Sequence, residues 1–321
     1  MPETRGIPSP IIPSLNMTNS QPDPAVAMPS TQTFYRIAGL RKDFDRILQS
    51  TYRATDAKPS GAEGEAFRRI IEATSPNDLV RMAPLSRGVA QLAWTQRMNE
   101  FGAAALPHIV RRLKSSQSIL DEEQRHIVTE RLIGALRRLD ATGGQALLDC
   151  FNNLDAYGQS LACAAFGVLE TIEAADAMAR FYQRVKTDAD TGYLVGALWG
   201  LIGLQDERVD DFMAQLMDAG RIFAEQYPFA SLAGGEATLR GLTRRLGAAV
   251  AEERYAGERD DVLMALASIG HRLGMERYRA LLDEYVEPAG TVQSIMDVAE
   301  RASPMRIANY FKMYYAEPDR G

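Results

Sequence analysis

The side chains best suited to chemistry lie in the segment DEEQRHIVTE, which spans residues 121–130. Glu123 and His126 form an E-x-x-H step, which places a carboxylate and an imidazole on one face of a helix. Di-iron sites in helical bundles need two such steps and two further glutamates, whereas the chain has 3 histidines and no second step. We therefore interpret the segment as a solvated helix start with its acidic first turn at the positive end of the helix dipole. No metal site is predicted.

Other patterns that carry chemistry are missing from the sequence. It has no G-x-S-x-G turn, no G-x-x-x-x-G-K-[ST] loop and no strand-bound G-x-G-x-x-G turn. Serine hydrolases, NTPases and dinucleotide-binding enzymes require these elements. Cys150 and Cys163 lie in apolar segments without C-x-x-C spacing, so we expect two small buried residues in a reducing compartment. The sequence predicts no catalytic residue and no cofactor.

Arginines in the front half of the chain form a candidate interaction surface, made of Arg111, Arg112, Arg137 and Arg138. The net charge of the whole chain is −6, which argues against a polyanionic partner because nucleic-acid affinity depends on clustered Lys and Arg. Residues 34–140 nevertheless hold 18 basic and 13 acidic side chains. Nucleic-acid binding through these arginines stays open, although the acidic chain favours a solvated helical face.

The elements that position these residues are predicted to be helices. No segment alternates apolar and polar residues over the length of a strand, so the expected fold class is all-α. Residues 1–33 hold 7 of the 15 prolines, which predicts a disordered tail rich in Pro, Ser and Thr. Residues 34–103 are expected to form an N-terminal helical region. It opens with an apolar stripe at residues 37–48 and includes a helix start at Ser75-Pro76.

One apolar pattern returns along the chain. Its first member is LPHIVRRL, residues 106–113, with apolar residues at i, i+3, i+4 and i+7, the spacing of one stripe on an α-helix. The four sets with this spacing are Leu106, Ile109, Val110 and Leu113; Leu147, Cys150, Phe151 and Leu154; Met178, Phe181, Tyr182 and Val185; and Val209, Phe212, Met213 and Leu216. The sets are offset by 41, 31 and 31 residues.

A second family of helices, richer in glycine and alanine, lies between the first. Its members are RLIGALRRLD, AAFGVLETIE, LVGALWGLIG and VLMALASIG, with matched leucines Leu136, Leu169, Leu198 and Leu266. Glycine inside a helix costs about 0.5–1 kcal/mol relative to alanine, so these glycines predict close approach of helix backbones. Two helices in about 30 to 40 residues are typical of an α-solenoid of stacked antiparallel pairs. A simple helix bundle is the alternative.

These helices resemble the HEAT-repeat family, which includes the HEAT-like repeats of phycobilin lyases. The likeness rests on AALPHIVRRLKS, with Pro107 near the start of a first helix, and on the second helices quoted above. It covers Ala104 to about Met217 well and Asp260–Tyr285 more weakly. The resemblance implies an armadillo-like α-solenoid over residues 104–321, and it implies a fold without implying an activity.

Three local features complete the expected organisation. Residues 218–235, DAGRIFAEQYPFASLAGG, break the period and are expected to be an irregular insertion. Ser303-Pro304 predicts the start of a last helix, which ends in NYFKMYY. These aromatic residues are expected to cap the array, and a partner site is the alternative. Thr142-Gly143-Gly144-Gln145 is expected to be a capping box that opens a helix at Ala146.

The sequence favours a non-catalytic scaffold or adaptor that binds another protein through its extended surface. The resemblance to phycobilin lyases implies a competing function, an enzyme that holds a tetrapyrrole in its groove. We expect no signal peptide, and the sequence contains no apolar run of about 18 residues, the length that crosses a membrane. We therefore expect a cytoplasmic protein without membrane contact. The excess of arginine, 31 against 5 lysines, suggests a bacterial source.

Overall fold

The computed structural model describes residues 60–187, 192–221, 225–251, 258–287 and 289–312. Throughout these ranges the regular structure is helical and contains no strand, which confirms the predicted all-α class. The tail expected at residues 1–33 and the apolar stripe of residues 37–48 lie outside the described residues. In chain order the helices are α1 (Gly61–Ile71), α2 (Pro76–Arg81), α3 (Gly88–Phe101), α4 (Leu106–Lys114), α5 (Glu122–Leu136), α6 (Asp140–Leu148), α7 (Ala156–Val168), α8 (Ala175–Val185), α9 (Gly192–Gly203), α10 (Arg208–Asp218), α11 (Gln226–Ala233), α12 (Glu236–Ala251), α13 (Glu258–Leu273), α14 (Met275–Tyr285), α15 (Ala289–Arg301) and α16 (Pro304–Lys312).

The helices alternate between two rows. In the first row each odd-numbered helix from α1 to α15 contacts the next odd-numbered one. In the second row α2 contacts α4, α4 contacts α6, α10 contacts α12, and α12 contacts α14. Aromatic contacts connect α8 to its two neighbours in the second row. Tyr182 of α8 stacks on Phe212 of α10, with ring centroids 4.1 Å apart. Phe181 of α8 contacts Phe151, just after α6, with ring centroids 6.2 Å apart.

The recurring apolar stripes face the interior. Of the four sets that share the i, i+3, i+4, i+7 spacing, every residue is buried except Leu106 and Val110, which are half-buried. In the second set the stripe continues beyond the end of α6 into a single 3-10 turn, Phe151–Asn153. The apolar period therefore marks the contact surfaces between helices, as the sequence predicts.

Side-chain caps begin several of the helices. The Ser75 hydroxyl accepts the N–H of Asp78 at 3.1 Å and Pro76 is the first residue of α2, which confirms the predicted helix start. The Asp121 carboxylate accepts the N–H of Gln124 at 2.9 Å before α5. Such caps satisfy N–H groups that have no partner inside the helix.

Glycines allow α7 and α9 to approach backbone to backbone. A Cβ on Gly200 would lie 2.1 Å from the carbonyl oxygen of Cys163, and a Cβ on Gly196 would lie 2.2 Å from that of Ser160. Neither distance leaves room for a methyl group. The close approach predicted for the second family of helices is confirmed at these two positions.

The start of α6 differs from the expected capping box. The helix begins at Asp140, whose φ is 50°, so Thr142 lies inside the helix and does not cap it. A Cβ on Gly143 would lie 2.0 Å from the carbonyl oxygen of Leu136, in the preceding helix. The glycine is therefore required by close packing between α5 and α6. In the sequence alone, the same glycine resembles a turn residue.

The matched leucines of the second family are not equivalent. Leu136, Leu198 and Leu266 are fully buried, whereas Leu169 is half-buried. The difference arises because α7 ends at Val168, and the next residue but one, Glu170, turns the chain with a φ of 52°. Leu169 thus lies beyond the helix that was expected to bury it.

The segment expected to be an insertion contains α11, a helix of 8 residues. It contacts α9 and α13, so this part of residues 218–235 continues the first row. The helix predicted at Ser303-Pro304 is α16, in which the Ser303 hydroxyl accepts the N–H of Arg306 at 3.3 Å. It packs on α13.

Candidate protein-binding groove

A groove of about 590 Å³ is lined by α11, α13 and α16, and we call it the C-terminal groove. Its apolar lining includes Pro228 and Leu232 from α11 and Ile307, Ala308 and Phe311 from α16. The two helices are far apart in sequence and meet because α13 contacts both. The groove is therefore a product of tertiary packing among three helices.

Apolar side chains are exposed at this groove. Leu232 is 51% exposed, and Pro304 and Ala308 of α16, which also line the groove, are exposed. Ile307 and Phe311 of α16 are buried, so they pack α16 against the rest of the protein at this groove. Exposed apolar side chains that line one groove are typical of interaction sites.

Arg272 of α13 supplies a positive charge at the groove. Its guanidinium donates to the carbonyl oxygens of Ala230 at 3.1 Å, Ser231 and Gly234, which are carbonyl groups at the C-terminal end of α11. Burial lowers the pKa of Arg272, against the opposing field of Asp210. An arginine has an ordinary pKa above about 12 and remains charged at neutral pH, so the cation is a fixed feature of the lining.

His271 is the second ionisable residue of the C-terminal groove. Its Nε2 donates to the carbonyl oxygen of Ala302 at 2.7 Å, which orients the ring. Ser268 donates to the carbonyl oxygen of Ser231 at 2.7 Å. Among the described residues that line the groove, none is acidic. The lining thus combines apolar side chains with hydrogen-bond donors and one permanent cation.

A second groove of about 590 Å³, between α8 and α10, has a different character. Its charged lining includes three arginines, Arg180, Arg184 and Arg208. Arg208 is already paired with Asp206 at 2.6 Å and with Asp176 at 2.8 Å. Most residues that line this groove are charged or polar, and the charge of Arg208 is already neutralised, so it is the weaker candidate for binding a partner.

The four arginines singled out in the sequence fall into two groups. Arg137 and Arg138 follow α5 and line a small cavity together with Arg131. Arg111 is exposed and Arg112 is half-buried on α4, and neither lines that cavity. The structure therefore joins Arg137 and Arg138 to a third arginine that sequence reasoning missed, and it does not unite all four at one cavity.

Arg131 differs from the other arginines because it is buried and bound. Its guanidinium donates to the carbonyl oxygen of Ser86 at 3.0 Å and to the side-chain oxygen of Gln91 at 3.0 Å. It also pairs with Glu130 at 3.3 Å, and Tyr157 donates its hydroxyl to the same carboxylate. This network joins α5 to α3 and α7, which is a structural role.

The E-x-x-H step does not form a ligand set. Glu123 pairs with Arg87 at 2.7 Å, whereas His126 is buried and stacks on Tyr157. The nearest carboxylate to His126 is that of Glu122, whose oxygen lies 3.7 Å from Nε2 and is too distant for a hydrogen bond. Among the described residues no group of three or more His, Cys, Asp or Glu side chains converges on a metal position. The acidic helix start is as expected, but the burial of His126 is not.

Both cysteines are buried, which confirms the expectation of small interior residues. Burial raises the pKa of Cys150 to about 11. Burial also raises the pKa of Cys163 well above its ordinary value. The reactive form of cysteine is the thiolate, so both side chains act as apolar packing groups at neutral pH.

No protein-family model, curated protein or solved structure matches the chain. In the part of the chain that the structure describes, no helix combines the length and the apolar character needed to cross a membrane.

Proposed function

We propose that the chain is an α-solenoid of HEAT-like helix pairs and acts as a non-catalytic scaffold that binds another protein. The two rows of helices support the solenoid, since each repeat of such an array packs against its neighbours. The close contacts at Gly196 and Gly200 support it too, because they bring helices of successive pairs together. An N-terminal helical region before residue 104 and a capping role for α16 are parts of the same proposal.

The observation that carries the binding proposal is the C-terminal groove. Leu232, Pro304 and Ala308 expose apolar surface within a concave lining. Covering such surface is favourable by roughly 25 cal/mol for each Å² removed from water. A partner that fills the groove would gain this free energy, and the chain by itself leaves Leu232 half uncovered.

The side chains best suited to chemistry support a non-catalytic role, because they contribute to packing. His126 stacks on Tyr157 across two helices, and the thiols of Cys150 and Cys163 are buried with raised pKa values. Two reduced, buried cysteines also suit the reducing cytoplasm in which we place the protein.

The test is affinity purification of the tagged full-length chain from the cells that produce it, followed by mass spectrometry. Wild type and Ile172→Ser should recover the same partner, and Leu232→Ser should lose it. Ile172 is a matched control, since it is an aliphatic residue that is 73% exposed and does not line the groove. Recovery of no specific partner by wild type would refute the scaffold.

Tetrapyrrole binding is a second candidate, favoured by the volume and lining of the same groove. Small-molecule sites are commonly about 300–1,000 Å³ in volume, mostly apolar, with a few polar groups that orient the ligand. Arg272 and His271 could meet the carboxylates of a tetrapyrrole. Mixing the protein with bilins and recording absorbance tests this, and an unchanged spectrum would exclude it.

A further inference from the structure

We propose that Asp210 and Arg272 clamp the connection between α11 and α12 from opposite sides, so that the end of α11 and the start of α12 open only together. Asp210 belongs to α10, which precedes the connection, and Arg272 belongs to α13, which follows it. We call these two side chains the clamp. The proposal goes beyond the binding function, because it concerns a conformational property of the chain that needs no partner.

Local interactions determine this part of the chain only weakly. The helix α11 has 8 residues, and isolated helices shorter than about 12 residues are marginal in water. The two residues that connect it to α12 are Gly234 and Gly235, and glycine loses more backbone freedom on folding than any other residue. Contacts from other helices therefore keep this segment folded.

The carboxylate of Asp210 caps α12 from a different helix. It accepts the N–H groups of Gly235 at 2.6 Å, Ala237 at 3.0 Å and Thr238 at 2.9 Å. The Ser75 cap lies three residues from its partner, whereas Asp210 lies 25 residues from Gly235. A Cβ on Gly235 would lie 2.8 Å from a carboxylate oxygen of Asp210, so glycine allows this close approach.

The guanidinium of Arg272 caps the other side of the same connection. It donates to three carbonyl oxygens at the end of α11, those of Ala230, Ser231 and Gly234. The hydroxyl of Ser268, one turn earlier on α13, also donates to Ser231, at 2.7 Å. A carboxylate at the start of a helix and a cation at the end of a helix are each favoured by the helix dipole. Opposite charges from two different helices therefore hold one connection.

The two caps share the structure that they stabilise. A movement of the connection that breaks the bond from Gly235 to Asp210 also displaces the neighbouring carbonyl oxygen of Gly234 from Arg272. The negative charge of Asp210 also favours the charged form of Arg272. The helices α10 and α13 each contact both α11 and α12. Residues that share partners contribute to stability non-additively, so loss of one cap should weaken the other.

The test is amide hydrogen exchange of the full-length chain, followed by mass spectrometry in wild type, Asp210→Asn and Arg272→Lys. Asp210→Asn should raise the exchange rates of residues 235–238 about tenfold, as expected for losing hydrogen bonds to a charged group. It should also raise those of α11, on the far side of the connection.

The decisive result is the reciprocal effect of Arg272→Lys. Lysine keeps the positive charge and loses the planar set of donors. A guanidinium cannot accept a hydrogen bond from an N–H group, so the clamp alone predicts faster exchange at residues 235–238 in this variant. The double variant should accelerate these amides by less than the product of the two single factors.

Asp211→Asn and Arg306→Lys are the matched controls, because both residues are exposed and undergo the same chemical change on α10 and α16. Both should exchange at the rates of wild type. Ser268→Ala is a milder variant, which removes the bond to Ser231 and leaves both charges in place. It should accelerate residues 235–238 by a smaller factor, and it provides the measurement if a clamp variant fails to fold.

Three outcomes would overturn the proposal. Arg272→Lys and Ser268→Ala that accelerate α11 but leave residues 235–238 at the wild-type rate would show two independent caps. A double variant whose factor equals the product of the single factors would show the same. Acceleration of equal size in the distant helix α5 would show a general loss of stability, without a specific link across the connection.

Discussion

The imidazole ring of His126 lies flat against the phenol ring of Tyr157, with ring centroids 3.8 Å apart and planes 8° from parallel. The contact joins α5 to α7 in the first row. Tyr157 is held in place by its hydroxyl, which donates to Glu130. A titratable ring therefore fills part of the contact between two neighbouring helices.

We expect the protein to lose stability as the pH falls below 6.5, the ordinary pKa of histidine. Burial lowers the pKa of His126 in the folded protein, although the carboxylates of Asp155, Glu122 and Glu130 oppose the effect. The unfolded chain therefore binds the proton first, and the loss grows until the pH reaches the folded pKa. The measurement is the free energy of unfolding in urea on either side of pH 6.5.

His126→Phe is the matched variant, because it keeps a flat ring and removes the titrating group. Its free energy of unfolding should change less over the same pH interval. The carboxylates near position 126 are present in both proteins and contribute equally. Identical pH dependence in variant and wild type would show that His126 is not the group responsible.

Gly200→Ala should destabilise the protein by about 1–3 kcal/mol or more, the usual cost of overpacking an interior. The added Cβ would lie 2.1 Å from the carbonyl oxygen of Cys163 and 2.6 Å from the sulfur of Met178. Gly247→Ala is the control, since a Cβ there meets nothing within 4 Å among the described residues and should stabilise α12 by about 0.5–1 kcal/mol. Thermal unfolding of both variants checks the pair, and equal shifts would contradict the backbone contact.

Features set by residues close in sequence could be predicted. The cap at Ser75 is a contact three residues away, and the apolar stripes depend on spacing within one helix. The predicted capping box at Thr142 was wrong, because Gly143 and Gly144 were interpreted as turn residues from their local sequence. There a contact with another part of the chain, the carbonyl oxygen of Leu136, requires the glycine.

Features set by residues distant in sequence could not be predicted. Leu232 and Phe311 share a groove because α13 lies between their helices, and no periodicity in either segment indicates that meeting. In the sequence Arg272 is an ordinary basic residue at the end of a helix. Its hydrogen bonds to α11 depend on tertiary packing and could not be predicted. The aromatic stretch NYFKMYY is predicted to cap the array, and that pattern did not indicate the groove that Phe311 lines.

Leu136→Ala should cost about 2–5 kcal/mol, the range for removing a fully buried leucine side chain. Leu169→Ala should cost about 1 kcal/mol, since a half-buried side chain loses correspondingly less. The two leucines are fully buried and half-buried, respectively. Urea unfolding measures both, and a larger loss at Leu169 would contradict the observed end of α7.

Arg131→Met should destabilise the protein by about 3 kcal/mol, because breaking a buried ion pair leaves its partner charge uncompensated. The guanidinium is 9% exposed and bridges Ser86, Gln91 and Glu130. Methionine restores the apolar volume but none of the donors, so the Glu130 carboxylate keeps the Tyr157 hydroxyl and loses its positive partner, and the Ser86 carbonyl oxygen loses the Arg131 donors. Arg68→Met is the control, since its pair with a glutamate three residues away is exposed and such pairs contribute about 0.5 kcal/mol. Equal, small losses in urea unfolding would mean that the buried network does not hold α5 against α3.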